Sequence, residues 1–223
     1  MNPEAKETAA IAVFVKTPGL SAVKTRLAAS VGREVAEEFH ILAVQATQAV
    51  IQKAVSLSKA PITAYWAIAE REALNHASWN SFKNIFQGCG PLGERLANVY
   101  TELLTKHGIV LLIGADSPQL SPKTLVRASL SKKFVMGRAE DGGFYLFGGR
   151  TPISKEIWLK VSYSAASTAD ELASGIESLG HLEELASLRD VDTIEDLRAL
   201  AKCKSTEALL PEQQKLLSWI KQL

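Results

Sequence analysis

Short apolar runs recur along the chain, each long enough for a β-strand but short for a helix. Most lack the strict alternation of apolar and polar residues that marks a half-buried strand, which is typical of strands covered on both faces. The runs are Ile11–Val15, Thr63–Ile68, Lys83–Gln87, Ile109–Ile113, Phe134–Gly137 and Phe144–Phe147. We expect Ile109–Ile113 to be the central strand and the more polar Leu188–Asp192 to be the last one.

The spacing of apolar residues between these runs predicts helices. The clearest is Glu34–Val55, whose apolar residues repeat along one helical face. Ser121 and Pro122 have the form of an N-cap and first helical residue. The other predicted helices are Glu70–Asn75, Leu92–Lys106, Pro122–Leu130, Ile153–Leu159, Thr168–Leu179, Thr193–Ala201 and Glu207–Leu223. Strands that alternate with helices predict a three-layer α/β/α fold with a mostly parallel sheet.

The composition, 47% hydrophobic and 22% charged over 223 residues, is that of an ordinary globular protein. No linker-like stretch, low-complexity run or internal repeat divides it, so we expect a single domain over residues 1–223. The net charge of +1 gives no overall field that favours nucleic acid. The sequence leaves the oligomeric state open, a homodimer being one option.

Met1–Thr8 is polar and charged, unlike a secretory signal, and no apolar run approaches the ~20 residues of a membrane span. Cys89 and Cys203 are far apart and form no metal-like pair, which fits a reducing compartment. We therefore expect a cytoplasmic protein without a membrane span. The histidines are scattered, and we expect each to be a surface or packing residue: His40, His76, His107 and His181.

Basic residues crowd the loop that follows the first strand. Lys16 lies at its start, and Lys24 and Arg26 lie where the next helix begins. Backbone N–H groups at a helix start favour anions, and nearby bases add to that attraction. The loop lacks the G-x-x-x-x-G-K-[ST] spacing of a Walker P-loop. A solvated basic turn is the alternative to an anion site.

Gly88–Gly93 matches the spacing G-x-G-x-x-G, but its context differs from a dinucleotide-binding fingerprint. Two strands already precede it and Pro91 interrupts it, whereas the fingerprint follows the strand that opens its βαβ unit. We interpret it as a flexible loop that closes over a ligand, with Cys89 as a bystander.

Carboxylates follow several of the predicted strands. Asp116 comes just after the central strand, where open α/β sheets place their ligands. Asp141 lies in Glu140-Asp141-Gly142-Gly143, where glycines let backbone approach a ligand closely. Alternatives remain open: Asp116 as a turn residue, Asp141 in a hairpin turn, and Asp192 as an N-cap with Glu195 as its partner. Bases gathered with carboxylates suggest a polyphosphate with Mg²⁺, which prefers oxygen ligands.

An ordered set of motifs extends this pattern to about Leu200 and resembles a known family. The motifs are Phe14-Val15-Lys16-Thr17-Pro18, Val23-Lys24-Thr25-Arg26-Leu27, Gly93-Glu94-Arg95, Gly114-Ala115-Asp116-Ser117-Pro118, Glu140-Asp141-Gly142-Gly143 and Asp190-Val191-Asp192-Thr193-Ile194-Glu195-Asp196-Leu197. Together they resemble the bacterial GT-A-like proteins called DUF2064, which are related to nucleotidyltransferases such as 2-phospholactate guanylyltransferase.

The resemblance implies a nucleotide-diphospho-sugar transferase (GT-A-like) fold and a set of site residues. It assigns Lys16, Lys24 and Arg26 to phosphate contacts, with Lys24, Arg26 and Asp116 as the catalytic group. Asp116 and Asp192 are the implied ligands of Mg²⁺ or Mn²⁺. Whether Asp190 or Asp192 is the true ligand stays open, and we expect one of the two to face the site while the other points away. The implied substrate-binding residues are Lys16, Thr17, Gly93, Arg95, Ser117, Asp141, Gly142 and Gly143.

The resemblance also implies a reaction class. The first hypothesis is Mg²⁺-dependent nucleotidyl transfer from an NTP to a phosphate- or carboxylate-bearing acceptor, with release of pyrophosphate. A glycosyltransferase that uses a nucleotide sugar and a nucleotide-binding protein without turnover are the alternatives. The chain lacks the G-x-G-T-R-[LM] opening of sugar-nucleotide pyrophosphorylases, so neither the base nor the acceptor follows from the sequence.

Overall fold

The computed structural model describes residues 8–202 and 208–223. The strands are β1 (Ala9–Val15), β2 (Ile62–Ile68), β3 (Lys83–Phe86), β4 (Ile109–Gly114), β5 (Phe134–Arg138), β6 (Phe144–Gly149) and β7 (Leu182–Glu184). The helices are α1 (Thr25–Val31), α2 (Arg33–Leu57), α3 (Leu92–Leu104), α4 (Pro122–Leu130), α5 (Lys155–Lys160), α6 (Thr168–Ile176), α7 (Ile194–Lys202) and α8 (Pro211–Ile220). Arg71–Asn75 is a 3₁₀ turn where a short helix is predicted.

The strands form one sheet in the order β3-β2-β1-β4-β6-β5-β7. All neighbours pair in parallel except those of β6, which is antiparallel to both β4 and β5. The predicted mostly parallel α/β sheet is therefore confirmed. Its carboxyl edge collects the ends of β1 to β5 on one side of the molecule.

Both faces of the sheet are buried, as the unalternated apolar runs predict. In β4, Ile109, Leu111 and Ile113 pack into a cluster with α2 and α4. The intervening Val110 and Leu112 pack on the opposite face with α3, α5 and α6. Because successive side chains of a strand point to opposite faces, one short apolar run serves two core layers. A third cluster joins α1, α2, α7 and α8.

The predicted last strand at Leu188–Asp192 is wrong. Only Leu188 forms an isolated bridge there, to Ala139, whereas the seventh strand is Leu182–Glu184. This strand pairs with β5 alone, at the edge of the sheet. A short edge strand of sequence Leu-Glu-Glu carries no apolar run, so the apolar pattern gave no signal for it.

The alternative role of Asp192 as an N-cap, with Glu195 as its partner, is also wrong. α7 begins at Ile194, and the hydroxyl of Thr193 accepts a hydrogen bond from the Asp196 N–H. The Asp196 carboxylate in return accepts from the Thr193 N–H at 2.9 Å. This is a capping box shifted by one residue, and it leaves the Asp192 carboxylate available for other contacts.

The other boundaries agree with the predicted elements to within a few residues. Ser121 caps α4 by accepting from the Lys123 N–H, with Pro122 in the first helical position. α8 begins at Pro211, and the predicted start of this helix at Glu207 lies outside the described residues, as do Cys203 and nearly all of Met1–Thr8. Among the helices that the structure describes, none has both the length and the apolar character of a membrane span.

Candidate active site

A cleft of about 610 Å³ opens at the carboxyl edge of the sheet. Its walls come from the segments that follow β1, β4 and β5, from the start of α3, and from the stretch before α7. The charged residues in its lining are Lys16, Lys24, Arg26, Arg95, Asp116, Asp141, Asp190 and Asp192. Residues that are far apart in sequence thus meet where parallel sheets ordinarily place their ligands.

Lys24 lies at the centre of the charged part of the cleft. Its Nζ is 2.6 Å from Asp116 Oδ1 and 2.9 Å from Asp192 Oδ1, and it donates to the Val191 carbonyl at 2.6 Å. Only 4% of its side chain is exposed. Its backbone is left-handed (φ 47°, ψ 45°) at the residue that precedes α1. Such a conformation is uncommon outside glycine and persists where the surrounding contacts hold it.

Asp192 reaches Lys24 because the stretch before α7 is bound to the central strand's exit. The Val191 N–H donates to the Asp116 carbonyl at 3.0 Å, and the Val191 side chain is fully buried in the third cluster. Asp190 and Asp192, on either side of Val191, both line the cleft. The expectation that only one of them faces the site is therefore wrong, and strand alternation itself would place residues two apart on the same side.

The charges in the cleft shift one another's protonation. Burial opposes the charge of Lys24, but the attraction of Asp116 and Asp192 outweighs it and raises the pKa of the ammonium. Burial likewise opposes ionisation of Asp116, yet Lys24 holds the pKa of that carboxyl below its ordinary value. Burial and the neighbouring Asp141 raise the pKa of Asp190 to about 7, with smaller contributions from Asp116 and Asp192.

The loop after β1 is fixed from below by buried polar side chains. The Thr17 N–H donates to Glu70 Oε2 at 3.0 Å, and Trp79 Nε1 donates to the Thr17 hydroxyl at 3.0 Å. His40 Nε2 lies 3.1 Å from the Lys16 carbonyl oxygen, and burial lowers the pKa of His40. These contacts orient the loop so that the exposed Lys16 faces the cleft.

Gln87 fixes the position of Arg95. Its amide Nε2 donates to the carbonyls of Val15 (3.1 Å) and Ala67 (2.7 Å), at the ends of β1 and β2. Its Oε1 accepts from Arg95 Nη1 at 2.9 Å. The Nε atom of Arg95 is buried and has no hydrogen-bond partner, although the residue lines the cleft. A ligand oxygen would satisfy that donor.

The β5–β6 hairpin brings Asp141 to the rim, as the Asp-Gly signal predicts. The Gly143 N–H donates to Asp141 Oδ1 at 2.9 Å. Gly142 has φ +92°, and a Cβ there would overlap the backbone of Ala166. Beyond the hairpin, Phe144 and Tyr163 are partly exposed and form part of an apolar wall of the cleft with Leu92. The cleft therefore has a charged end and an apolar end.

Most of the residues that the sequence nominates line this cleft. These are Lys16, Lys24, Arg26, Arg95, Asp116, Asp141, Gly143 and Asp192. Four others are not part of the lining: Thr17, Gly93, Ser117 and Gly142. Gly93 lets α3 approach Trp158 and Tyr163, since a Cβ there would overlap both. The Ser117 hydroxyl is buried and has no hydrogen-bond partner.

The chemistry of the donor set fits a divalent metal shared with a ligand. Asp116 and Asp192 each place an oxygen within hydrogen-bond distance of one nitrogen, so two hard oxygen ligands converge on one point. Within residues 8–202 and 208–223, no group of three or more His, Cys, Asp or Glu side chains could hold a metal ion by itself. A pair of carboxylates suits Mg²⁺, which is usually bound by one or two carboxylates together with substrate phosphates.

Four supporting residues were not nominated from the sequence: Glu70, Trp79, Gln87 and His40. Glu70 and Gln87 each lie just beyond a strand, the same position that singled out Asp116, and Gln87 is 2% exposed. His40 adjoins Phe39 on the apolar face of α2 and is 6% exposed, so helical periodicity contained a signal for its burial. Nothing in the sequence indicated which groups these residues would bond.

Several solved structures share this fold, and two of them have names that refer to nucleotide or nucleotide-sugar transfer. A Desulfovibrio desulfuricans G20 protein with the provisional name nucleotide-diphospho-sugar transferase superposes with a TM-score of 0.75 at 24% identity, covering 95% of this chain and 97% of the other. Rv0371c from Mycobacterium tuberculosis H37Rv has a TM-score of 0.53 at 18% identity, with coverage of 89% and 100%. A nucleotidyl transferase from Methanothermobacter has a TM-score of 0.53 at 15% identity, with coverage of 86% and 95%.

These similarities establish that the chain has the nucleotide-diphospho-sugar transferase fold, as predicted. Residues 42–165 match the family described as "uncharacterized protein conserved in bacteria (DUF2064)". The chain belongs to that family, so the resemblance drawn from the motifs is confirmed. A search of curated proteins finds no match to the sequence.

Proposed function

We propose that the protein is a Mg²⁺- or Mn²⁺-dependent transferase that moves a nucleotidyl group from an NTP to a phosphate- or carboxylate-bearing acceptor and releases pyrophosphate. The observation that carries this proposal is the convergence of Asp116 and Asp192 on the Lys24 ammonium. Lys16 and Arg26 line the same cleft. Carboxylates for a metal and cations for phosphates thus lie side by side, as transfer to or from a polyphosphate requires.

Each group then has a part in the reaction. The acceptor oxygen forms a bond to the α-phosphorus while the bond from that phosphorus to the departing pyrophosphate oxygen breaks, and its electron pair leaves with pyrophosphate. Lys16, Lys24 and Arg26 bind the phosphate oxygens and neutralise the charge that develops on them. Arg95 offers its unpartnered Nε–H to a ligand oxygen. Asp141, at the hairpin rim, faces the acceptor.

Asp116 and Asp192 would hold the metal. When bound, Mg²⁺ or Mn²⁺ supplies positive charge that polarises the phosphates and stabilises the transferring group. The buried supports beneath the loop, Glu70, Trp79 and His40, keep Lys16 in place. Prior orientation of this kind lowers the reorganisation that the reaction demands.

The test is a thermal-unfolding panel with the four NTPs and with nucleotide sugars, each with and without Mg²⁺. A ligand that binds only the folded state stabilises it by about 2.7 kcal/mol at 100 times its Kd. We expect one NTP to stabilise the protein only when Mg²⁺ is present. That NTP is then incubated with sugar phosphates and hydroxy-acid phosphates while pyrophosphate release is measured.

The outcomes separate the hypotheses. Mg²⁺-dependent stabilisation by an NTP, followed by acceptor-dependent pyrophosphate release, supports nucleotidyl transfer. Stabilisation by a nucleotide sugar and by no NTP would replace it with glycosyl transfer. Binding of an NTP without pyrophosphate release, across the acceptor panel, would indicate a nucleotide-binding protein without turnover.

A further inference from the structure

The contacts of Lys24 have a consequence for how a metal enters the cleft. Its ammonium donates to Oδ1 of Asp116 and to Oδ1 of Asp192, and its remaining N–H donates to the Val191 carbonyl. Any cation held by both carboxylates competes for the oxygens that already bind this ammonium. A divalent ion and an ammonium at one point repel each other strongly, because both carry positive charge in a partly desolvated place.

The Lys24 ammonium needs another hydrogen-bond acceptor if it leaves the two carboxylates. Its side chain is 4% exposed, so solvent does not replace the three acceptors. Its left-handed backbone at the start of α1 restricts the directions in which the side chain leaves. Two further cations that line the same cleft, Lys16 and Arg26, cannot accept the ammonium. An anion is the partner that would accept the displaced ammonium.

We propose that Lys24 makes metal binding conditional on a polyphosphate: it excludes a divalent ion from Asp116 and Asp192 until polyphosphate oxygens draw its ammonium away. The proposal rests on the proposed function for the identity of the anion. It adds an order to binding, in which metal and polyphosphate enter together and the metal alone binds weakly. Lys24 thereby has two roles: it blocks the metal site while it binds both carboxylates, and it binds phosphate oxygens once it is displaced.

The first measurement is a calorimetric titration of Mn²⁺ into metal-free protein with no nucleotide. We expect Lys24→Met to bind Mn²⁺ about tenfold more tightly than the wild type, or better, because the competing charge is gone while both carboxylates remain. Lys53→Met is the matched control, since it removes an exposed lysine of α2 that does not line the cleft. We expect it to change the Mn²⁺ affinity by less than about twofold.

A second measurement asks for the anion. Thermal unfolding of the wild type is followed with Mn²⁺ alone, inorganic tripolyphosphate alone, and the two together. We expect the rise in Tm with both to exceed the sum of the separate rises, whereas Lys24→Met responds to Mn²⁺ alone. The double variant Lys24→Met/Asp192→Asn then loses the affinity for Mn²⁺ that Lys24→Met gained, which assigns the gain to these carboxylates.

Equal Mn²⁺ affinity in the wild type and Lys24→Met would overturn the proposal, as would purely additive effects of Mn²⁺ and tripolyphosphate on the wild type. If Lys24→Met does not fold, Lys24→Gln takes its place, because its amide keeps two N–H donors but carries no positive charge. Cooperation of Mn²⁺ with tripolyphosphate but with no NTP would support the exclusion by Lys24 and reject the proposed function, so the two failures are distinguishable.

Discussion

The ammonium of Lys24 has three N–H donors and three acceptors, at 2.6, 2.6 and 2.9 Å. It is satisfied by groups from two distant parts of the chain, and a single side chain therefore joins the exit of β4 to the start of α7. The neighbouring residues have two different roles. Exposed ones, such as Lys16 and Asp141, face the cleft, while buried ones, such as Gln87 and Glu70, hold the exposed ones in place.

Asp116→Asn tests the proposed metal site. Loss of the carboxylate charge removes one of the two hard ligands, and we expect Mg²⁺-dependent nucleotide affinity to fall by at least about a hundredfold. The fold should persist because the amide oxygen still accepts from Lys24. Asp170→Asn is the matched control, since Asp170 pairs with Arg138 away from the cleft lining. Calorimetric titration of both variants measures the difference, and equal affinities would reject the assignment of Asp116.

Gln87→Leu tests a buried support. The substitution removes the side-chain donor to the carbonyls of Val15 and Ala67 and frees Arg95 from its acceptor, while the Val15 carbonyl keeps its bond from the Ala69 N–H. Loss of these two buried hydrogen bonds reduces the free energy of unfolding by about 1–3 kcal/mol. We also expect weaker nucleotide binding, because Arg95 is no longer oriented.

Denaturant unfolding measures this change, with Gln52→Leu on the exposed side of α2 as the control. A Gln87→Leu protein as stable as the Gln52→Leu protein would show that the amide contacts contribute little.

At the scale of elements, the β5–β6 hairpin and the stretch before α7 are tied together. Arg189 pairs with Glu140 at 2.6 Å and with Asp196 at 3.7 Å, so it links the hairpin to the first turn of α7. The Glu140 N–H donates to the Leu188 carbonyl at 3.0 Å. These contacts bring Asp141 and Asp190 into the same cleft, although neither belongs to a strand.

Gly142→Ala tests the close approach that the hairpin requires. The residue has φ +92°, and the added Cβ would overlap the Ala166 carbonyl. Gly32→Ala is the matched control, because Gly32 has φ +87° and nothing within 4 Å of the added Cβ. The control isolates the backbone strain, about 1–3 kcal/mol in the free energy of unfolding. We expect Gly142→Ala to lose clearly more than that, and equal losses would contradict the steric account.

At the scale of the whole molecule, the carboxyl ends and the amino ends of the parallel strands carry different side-chain chemistry. The charged residues of the cleft lie at the carboxyl ends, whereas a histidine links neighbouring strands near their amino ends. His107, just before β4, bonds the Tyr65 hydroxyl of β2 through Nε2 at 2.9 Å and the Thr8 hydroxyl through Nδ1 at 2.8 Å. Burial, with Lys83 and Lys106 nearby, lowers the pKa of His107.

This lowered pKa predicts a loss of stability in acid. Because the unfolded chain accepts a proton at His107 more readily than the folded chain, the contribution is complete above the ordinary histidine pKa of about 6.5 and is lost as the pH falls below it. We expect His107→Asn to flatten the decline in unfolding free energy between about pH 7.5 and 5. His181→Asn, at an exposed position, serves as the control. An unchanged decline in His107→Asn would show that His107 does not cause it.

The single-domain organisation expected from the sequence stays a prediction, which a single unfolding transition seen by two independent probes would support. The one seven-stranded sheet draws its strands from Ala9 to Glu184. Strands that share one sheet are expected to unfold together.

Most of the architecture was already determined by the sequence. Apolar runs without alternation, such as Ile109–Ile113, require burial on both faces, and alternation of runs with amphipathic helices leaves few arrangements other than a layered α/β sheet. The positions of Lys16, Lys24, Asp116 and Asp141 beyond strands were equally visible, because a polar residue at the end of an apolar run is a local feature of the chain.

Only the tertiary structure decided which of these groups meet. Lys24 and Asp192 are 168 positions apart, and their contact depends on the order of the strands and the path of the stretch before α7. The edge strand Leu182–Glu184 and the shifted capping box at Thr193 were decided in the same way, by pairing with β5 and by hydrogen bonds within the first turn of α7. Periodicity reflects residues that are near in sequence, whereas the contacts of the cleft join residues that are near only in space.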